Sequence, residues 1–179
     1  MIRHFCAAKN PLSKMARIES TLVVPRSLEE VFAFLNAPES HARFIPNMAE
    51  FRQTSSGTFG RIGATAQGLL SYFGLLKIKV QYEIIQHELN HRVAMNGQMG
   101  PVFFKDGYVL SRNGTGTEIQ FWLDLFPTGW ARFFSPFMGV IGRIHAWETL
   151  RNLKRELVKQ EITSQGDASQ SSGRAHSSE

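Results

Sequence analysis

Cysteine is nearly missing from this chain: Cys6 is the only one in 179 residues. A lone thiol excludes an intrachain disulfide and a cysteine-built zinc cage, and it agrees with a reducing, cytoplasmic setting. Long apolar runs are also lacking. The longest candidate, around Gly68 to Leu76, is interrupted by Ser71 and Tyr72, whereas a bilayer-crossing helix needs about 20 mostly apolar residues. The expectation is a soluble protein, peripheral to a membrane at most. No Gly-x-Gly-x-x-Gly or Gly-x-x-x-x-Gly-Lys phosphate loop occurs, and no Gly-x-Ser-x-Gly elbow; nucleotide chemistry and zinc hydrolysis are not expected. Charge of one sign forms no evident stripe along the sequence. The net charge is +5, but the basic residues are scattered, without the basic stripe interleaved with aromatics that nucleic-acid binders carry. The densest group, Arg151, Lys154, Arg155 and Lys159, falls at the end of an expected helix and complements its macrodipole. No nucleic-acid partner is expected.

What is present is ordinary globular material, 42% hydrophobic and 20% charged, with enough length for one domain and its tails. Fourteen Phe residues are concentrated in clusters such as Phe103 and Phe104, or Phe133, Phe134 and Phe137. Residues 1–15 contain Arg3, Lys9 and Lys14 but no acid, lack the apolar core of a secretory signal, and read as a flexible extension. Residues 161–179 turn to Ser, Gly and Gln, with no large apolar side chain after Ile162. Such a stretch buries too little surface to offset its ordering entropy, and the expectation is a disordered Ser-rich tail. The folded domain therefore spans residues 16–160.

Within it, Ile18, Leu22 and Val24 alternate as in a strand with one buried face, ended by Pro25. Ser27 and Glu30 have capping-box spacing ahead of Val31, Phe32, Phe34 and Leu35. Pro38 suits the first turn of a second short helix that Pro46 stops. Six strand-like segments follow, expected at 48–54, 61–70, 75–87, 92–98, 102–111 and 117–126. The clearest has Ile78, Val80, Tyr82 and Ile84 on one face against Lys77, Lys79, Gln81 and Glu83 on the other. Asn113-Gly114-Thr115-Gly116 is a strong hairpin signal, since Asn and Gly tolerate positive φ. Short connections mean antiparallel pairing. From Pro136 to Lys159, Val140, Ile141, Ile144, Trp147, Leu150, Leu153 and Leu157 recur at helical spacing, an expected helix of about 36 Å that covers the apolar face of the sheet.

This order of elements resembles the START-like (SRPBCC) superfamily of polyketide cyclases, dehydratases and lipid-transfer proteins. The residues that carry the likeness are Ser27 to Leu35 with the Pro-led second helix, Gly60 and Gly63 around Ile62, Gly116-Thr117 opening the last strand, and Leu150 to Lys154 closing the last helix. Phe44-Ile45-Pro46 is loosely similar to a feature of a quinone-binding branch. The resemblance implies an α+β helix-grip fold, in which a curved antiparallel sheet of about seven strands wraps a long C-terminal helix after two short ones. It also implies a cavity between sheet and helix, and a lipid, quinone or polyketide-like ligand.

Small residues argue for such a cavity from below: Ala64, Ala66 and Gly68 alternate along the third strand, and Gly139 and Gly142 interrupt the helix. Tight packing of helix on sheet explains the same residues equally simply. The expected lining comprises Phe34 from the first helix, Ile62, Ala64 and Ala66 from the third strand, and Val80 and Tyr82 from the fourth. Met95, Phe104 and Tyr108, then Phe121 and Leu123, continue it across the later strands, and Phe137, Ile141 and Ile144 close it from the helix. The apolar stretch Phe126 to Met138 either lines the mouth, with Arg132 for a headgroup or carboxylate and a transient contact with a membrane surface, or is core beneath a loop. Asp106 shares strand parity with Phe104 and Tyr108. Beside a phenol it suits acid/base work if burial raises its pKa, although a partly exposed Asp near a strand bend is commoner. His145 is the second catalytic candidate, against the plainer reading of a solvated helix histidine. His87 and His91 flank a turn and are expected to be exposed. No third ligand joins them, so neither a metal nor any cofactor is expected. Three functions remain: binding or transport of a hydrophobic molecule, a cyclase or dehydratase using Asp106, or an interaction module without ligand. Monomer and homodimer stay equally open.

Overall fold

Local chemistry sets the first boundaries. Ser27 accepts from the Glu30 amide while the Glu30 carboxylate accepts from the Ser27 amide, closing a full capping box, and α1 (Leu28–Asn36) follows it. Pro38 opens α2 (Pro38–Phe44) at its first turn. In this computed structural model the backbone is described over residues 16–173 and the side chains over 17–159; the extension expected at 1–15 lies outside the described residues.

The strands are β1 (Ala16–Val24), β2 (Met48–Gln53), β3 (Thr65–Tyr72), β4 (Leu76–Glu88), β5 (Arg92–Met99), β6 (Val102–Asn113) and β7 (Gly116–Pro127). They form one antiparallel sheet in the order β1-β7-β6-β5-β4-β3-β2. The chain enters at one edge, crosses to the other through α1 and α2, and then winds back strand by strand until β7 meets β1. A 3₁₀ turn (Gly129–Phe134) leads into the long helix α3 (Ser135–Gly173). The helix-grip architecture is as the sequence implies.

Four details differ. The segment expected to begin the third strand at Arg61 is a bend instead, because Gly63 adopts a φ of +83° and Gly63 N–H donates to the Ile84 carbonyl. The 3₁₀ turn replaces a plain loop. The backbone of α3 continues past Lys159 into the stretch expected to be disordered, as far as Gly173; extending an existing helix adds a hydrogen bond per residue without a new nucleus. The fourth difference concerns function. Of the stripe expected to cover the sheet, Leu150, Leu153 and Leu157 are buried, whereas Val140, Ile141, Ile144 and Trp147 face outward. The upper half of α3 meets the sheet through Gly142 and Ala146. Gly142 sits against Ile18 and Leu125, with no room for a Cβ, and Ala146 is fully buried.

The core has two parts. One gathers α1, β1, β6, β7 and the lower half of α3 around Val31, Phe34, Phe44, Tyr108, Phe121 and Leu153. The other gathers β2 to β5 around Phe51, Ala66, Val80, Tyr82 and Met95, and among the described residues no side chain of α3 belongs to it. Ile45 and Phe104 pack against both. The interior face of the sheet thus has a seam between an α3-covered half and a half that α3 does not cover.

Candidate functional site

Strand alternation and register bring the site together along that seam. Phe104, Asp106 and Tyr108 project from one face of β6. Asp106 stands opposite Met95 on β5 and Leu123 on β7, while Phe104 stands opposite Gly97, which in turn stands opposite Tyr82 on β4. The Phe104 ring lies on Gly97, filling the space a side chain there would need, and meets Tyr82 edge-on at 5.6 Å between centroids. On the other side Tyr108 contacts Phe121 at 5.2 Å and Phe44 at 6.5 Å. Asp106 therefore shares a face of β6 with Tyr108 and lies within electrostatic reach of Tyr82 from the other half of the core.

Asp106 retains some accessible surface as a residue, yet its Oδ1 is shut off from solvent and has no hydrogen-bond partner among the described residues. Burial pushes its carboxyl up to about 7, against a smaller downward pull from its own backbone amide. The Asp106 charge also reaches Tyr82 and Tyr108. Both phenols are raised above their ordinary range, first by burial and next by Asp106, so they stay protonated at any physiological pH. The group offers two phenolic donors and a carboxyl that exchanges a proton near neutrality, all within an apolar surround.

Most of the expected lining is buried here. Ala64, Ala66, Val80, Tyr82 and Met95 belong to one core cluster, Phe34, Tyr108, Phe121 and Leu123 to the other, and Phe104 to both. Four expected members are elsewhere. Ile62, on the bend before β3, is 69% exposed, and Phe137, Ile141 and Ile144 are exposed on α3. Arg132 is exposed on the 3₁₀ turn. His145 is partly buried and its pKa is lowered by burial, with an opposing pull from Glu148; Asp106 instead acts on the two tyrosines, so the two catalytic candidates do not form a pair. The small residues divide. Gly68 is occupied by the Met48 thioether, 2.7 Å from where its Cβ would stand, and Gly142 by Ile18 and Leu125, so close packing explains both; the space beside Gly139 is open.

Sequence reasoning missed three features. His41 is buried and stacked on Phe51 at 4.3 Å and 12°. Its Nδ1 lies 3.0 Å from the Ala37 carbonyl, and desolvation lowers its pKa to about 4. Thr149 is buried on α3, and its Oγ1 has no hydrogen-bond partner among the described residues; a helix threonine ordinarily gives no such signal, since it can bond the preceding turn. Third, residues His87 to His91 spell His-Glu-x-x-His. That motif needs a helix to put both imidazoles on one face, and here it forms the β4–β5 turn, with Asn90 at a φ of +54°. Nor is His87 exposed as expected: it is partly buried, bonded to Asn36 at 3.0 Å and packed on Phe32. His91 pairs with Glu88. Among the described residues no three His, Cys, Asp or Glu converge on a metal position.

The opposite face of the sheet carries an open depression of about 350 Å³ lined by Arg17, Glu19, Arg92, Lys105, Trp122 and Asp124 among others. Arg17 is engaged there by Glu19 at 2.5 Å, by Asp124 at 3.9 Å and by the Trp122 ring at 5.3 Å. That face is an ion-paired outer surface of mixed sign.

Comparison with known proteins agrees with this layout. Residues 15–158 match the family described as polyketide cyclase / dehydrase and lipid transport. None of the curated proteins compared with the chain matches it. Among solved structures, TTHA0849 from Thermus thermophilus superposes with a TM-score of 0.67 at 11% identity, covering 81% of this chain and 99% of its own. A conserved protein from Geobacillus kaustophilus gives 0.66 at 14%, covering 80% and 96%. Ara h 8.0201 gives 0.61 at 11%, covering 80% and 98%. At these identities the likeness is one of fold.

Proposed function

Because the chain belongs to the polyketide cyclase / dehydrase and lipid transport family, we propose that it binds a hydrophobic small molecule along the seam of its interior face. The ligand class we infer is an apolar body bearing one hydroxyl or carbonyl. The observation that carries this reading is the Asp106 Oδ1, shut off from solvent without a partner among the described residues and within electrostatic reach of Tyr82 and Tyr108. A buried carboxyl without a partner is costly, and a ligand hydroxyl there would supply the missing hydrogen bond. Affinity would come chiefly from apolar burial, roughly 7 kcal/mol gross for about 300 Å² before ordering costs are subtracted. Lipids, quinones and polyketides all fit this description.

Native mass spectrometry of protein purified from its own host tests the proposal. A retained apolar molecule that is lost in Tyr82→Phe/Asp106→Leu supports it. Absence of any retained molecule, together with no uptake of apolar fluorescent probes, refutes it.

A second reading is favoured by one observation: Asp106 titrates near 7, which suits a group that both takes and gives a proton at physiological pH. Under it, Asp106 moves a proton on a bound polyketide-like substrate while a tyrosine hydroxyl hydrogen-bonds the oxygen where charge develops. Unchanged turnover of a proven substrate by Asp106→Asn would exclude it.

A further inference from the structure

Eight large apolar side chains outside the core are grouped on one outer face. Trp130, Phe133 and Phe134 on the 3₁₀ turn and Phe137, Ile141 and Ile144 on α3 are all more than half exposed, as are Val140 and Trp147 beside them. At 100° per residue, the α3 members lie across the helix from Gly142, Ala146 and Leu153, which meet the rest of the fold. Together these eight expose on the order of 800–1,000 Å², above the largest patch, about 300–600 Å², of an ordinary monomer.

A second element adds to it. At the tip of the β3–β4 hairpin, Phe73 is 98% exposed and Leu75 90%. Phe73 holds a φ of +55° and Gly74 one of +70°, a turn that Asn-Gly fills easily and a bulky residue fills under strain. Contacts among the described residues do not explain a phenylalanine there, because it is 98% exposed. The preceding residue, Tyr72, packs against the second core cluster and feels the charge of Glu148 on α3, so the base of the hairpin lies on the face of the sheet that the helix crosses.

The charges around this apolar face have one dominant sign. From Gly129 to Arg155 the exposed Arg132, Arg143, Arg151, Lys154 and Arg155 are set against a single acid, Glu148. The hairpin adds Lys77 and Lys79, with no acid between Glu50 and Glu83. Arg151 stacks on Trp147 at 4.6 Å, placing cation and interfacial aromatic side by side.

We infer that this face, formed by the 3₁₀ turn, the upper half of α3 and the β3–β4 tip, docks on an anionic lipid surface. Aromatic side chains enter the headgroup boundary while flanking Arg and Lys meet lipid phosphates. A projecting tip such as Phe73 suits a fluid partner, which closes around it, better than a rigid protein surface. Docked in this way, the 3₁₀ turn, the outer side of α3 and the hairpin tip face the bilayer together.

The test is co-sedimentation of the full chain with phosphatidylcholine vesicles, with and without a third of phosphatidylserine. Binding is expected to the anionic vesicles and to weaken as salt rises. Phe73→Asn, which relieves the turn and leaves folding intact, and Phe133→Ser/Phe137→Ser each weaken it by about tenfold or more. Vesicle binding does not depend on a filled cavity, so it can succeed or fail independently of the ligand proposal. No binding to anionic vesicles overturns the inference, as does binding that Phe73→Asn and Phe133→Ser/Phe137→Ser leave unchanged. A concentration-independent dimer in light scattering that Phe137→Ser dissociates also overturns it, because a second copy would then cover the face.

Discussion

Phe104 lies across Gly97, its direct partner on the neighbouring strand, so closely that the ring occupies the space of any side chain at 97. Phe104 also packs against both halves of the core, so this contact sets the width of the seam. Gly97→Ala is expected to displace the ring and to destabilise the fold by about 1–3 kcal/mol, although alanine suits a strand better than glycine. Adding Phe104→Leu should recover most of the loss. Urea denaturation of both singles and the double measures the coupling.

Asp106 makes stability depend on pH in a defined direction. Its carboxyl titrates near 3.8 when unfolded and near 7 in place. The folded state therefore holds the proton more tightly, and stability is fully present below about pH 4 and declines as pH rises to about 7. The cost of the ionised form is on the order of 4 kcal/mol at most. Asp106→Asn is expected to match the parent at pH 4 and to melt at higher temperature at pH 8, as thermal denaturation across that range would show.

His41 acts the other way. Its imidazole titrates near 6.5 when unfolded and near 4 in the core, so acid favours the unfolded chain and stability falls as pH drops from about 6.5 to about 4. The size is on the order of 3 kcal/mol. Because the two windows overlap with opposite signs, the parent protein should have a nearly flat profile. Asp106→Asn should expose acid lability, and His41→Phe, which keeps the stack on Phe51, should expose a loss of stability toward pH 7.

Gly139 and Gly142 of α3 should respond oppositely to alanine. Nothing stands beside Gly139, so Gly139→Ala gains helix propensity, about 1 kcal/mol. At Gly142 the added methyl meets Ile18 and Leu125, and Gly142→Ala should lose about 1–3 kcal/mol through overpacking. Melting temperatures of the two variants would check this.

Local periodicity carried far in this sequence. Alternation of Ile78, Val80, Tyr82 and Ile84 placed β4 and its buried face, Ser27 with Glu30 placed the start of α1, and Asn113 to Gly116 placed the last hairpin, because each depends on a few neighbouring residues and on backbone preferences they carry wherever the chain is folded. Even the parity that put Asp106 beside Tyr108 was available, since strand alternation is a property of one segment. The face α3 turns to the sheet was not. Helical spacing marked Val140, Ile141, Ile144 and Trp147 as the inward stripe, but close approach of a helix to a twisted sheet selects the smallest side chains, and Gly142 and Ala146 have little hydrophobic signal of their own. The edge-on contact of Tyr82 with Phe104, the burial of His41 and the bond between His87 and Asn36 likewise belong to pairings between distant segments. Residue order along the chain determined the elements and their sequence; which groups share an interior, and which aromatics are left facing out, was decided only when seven strands and a helix competed for the same space.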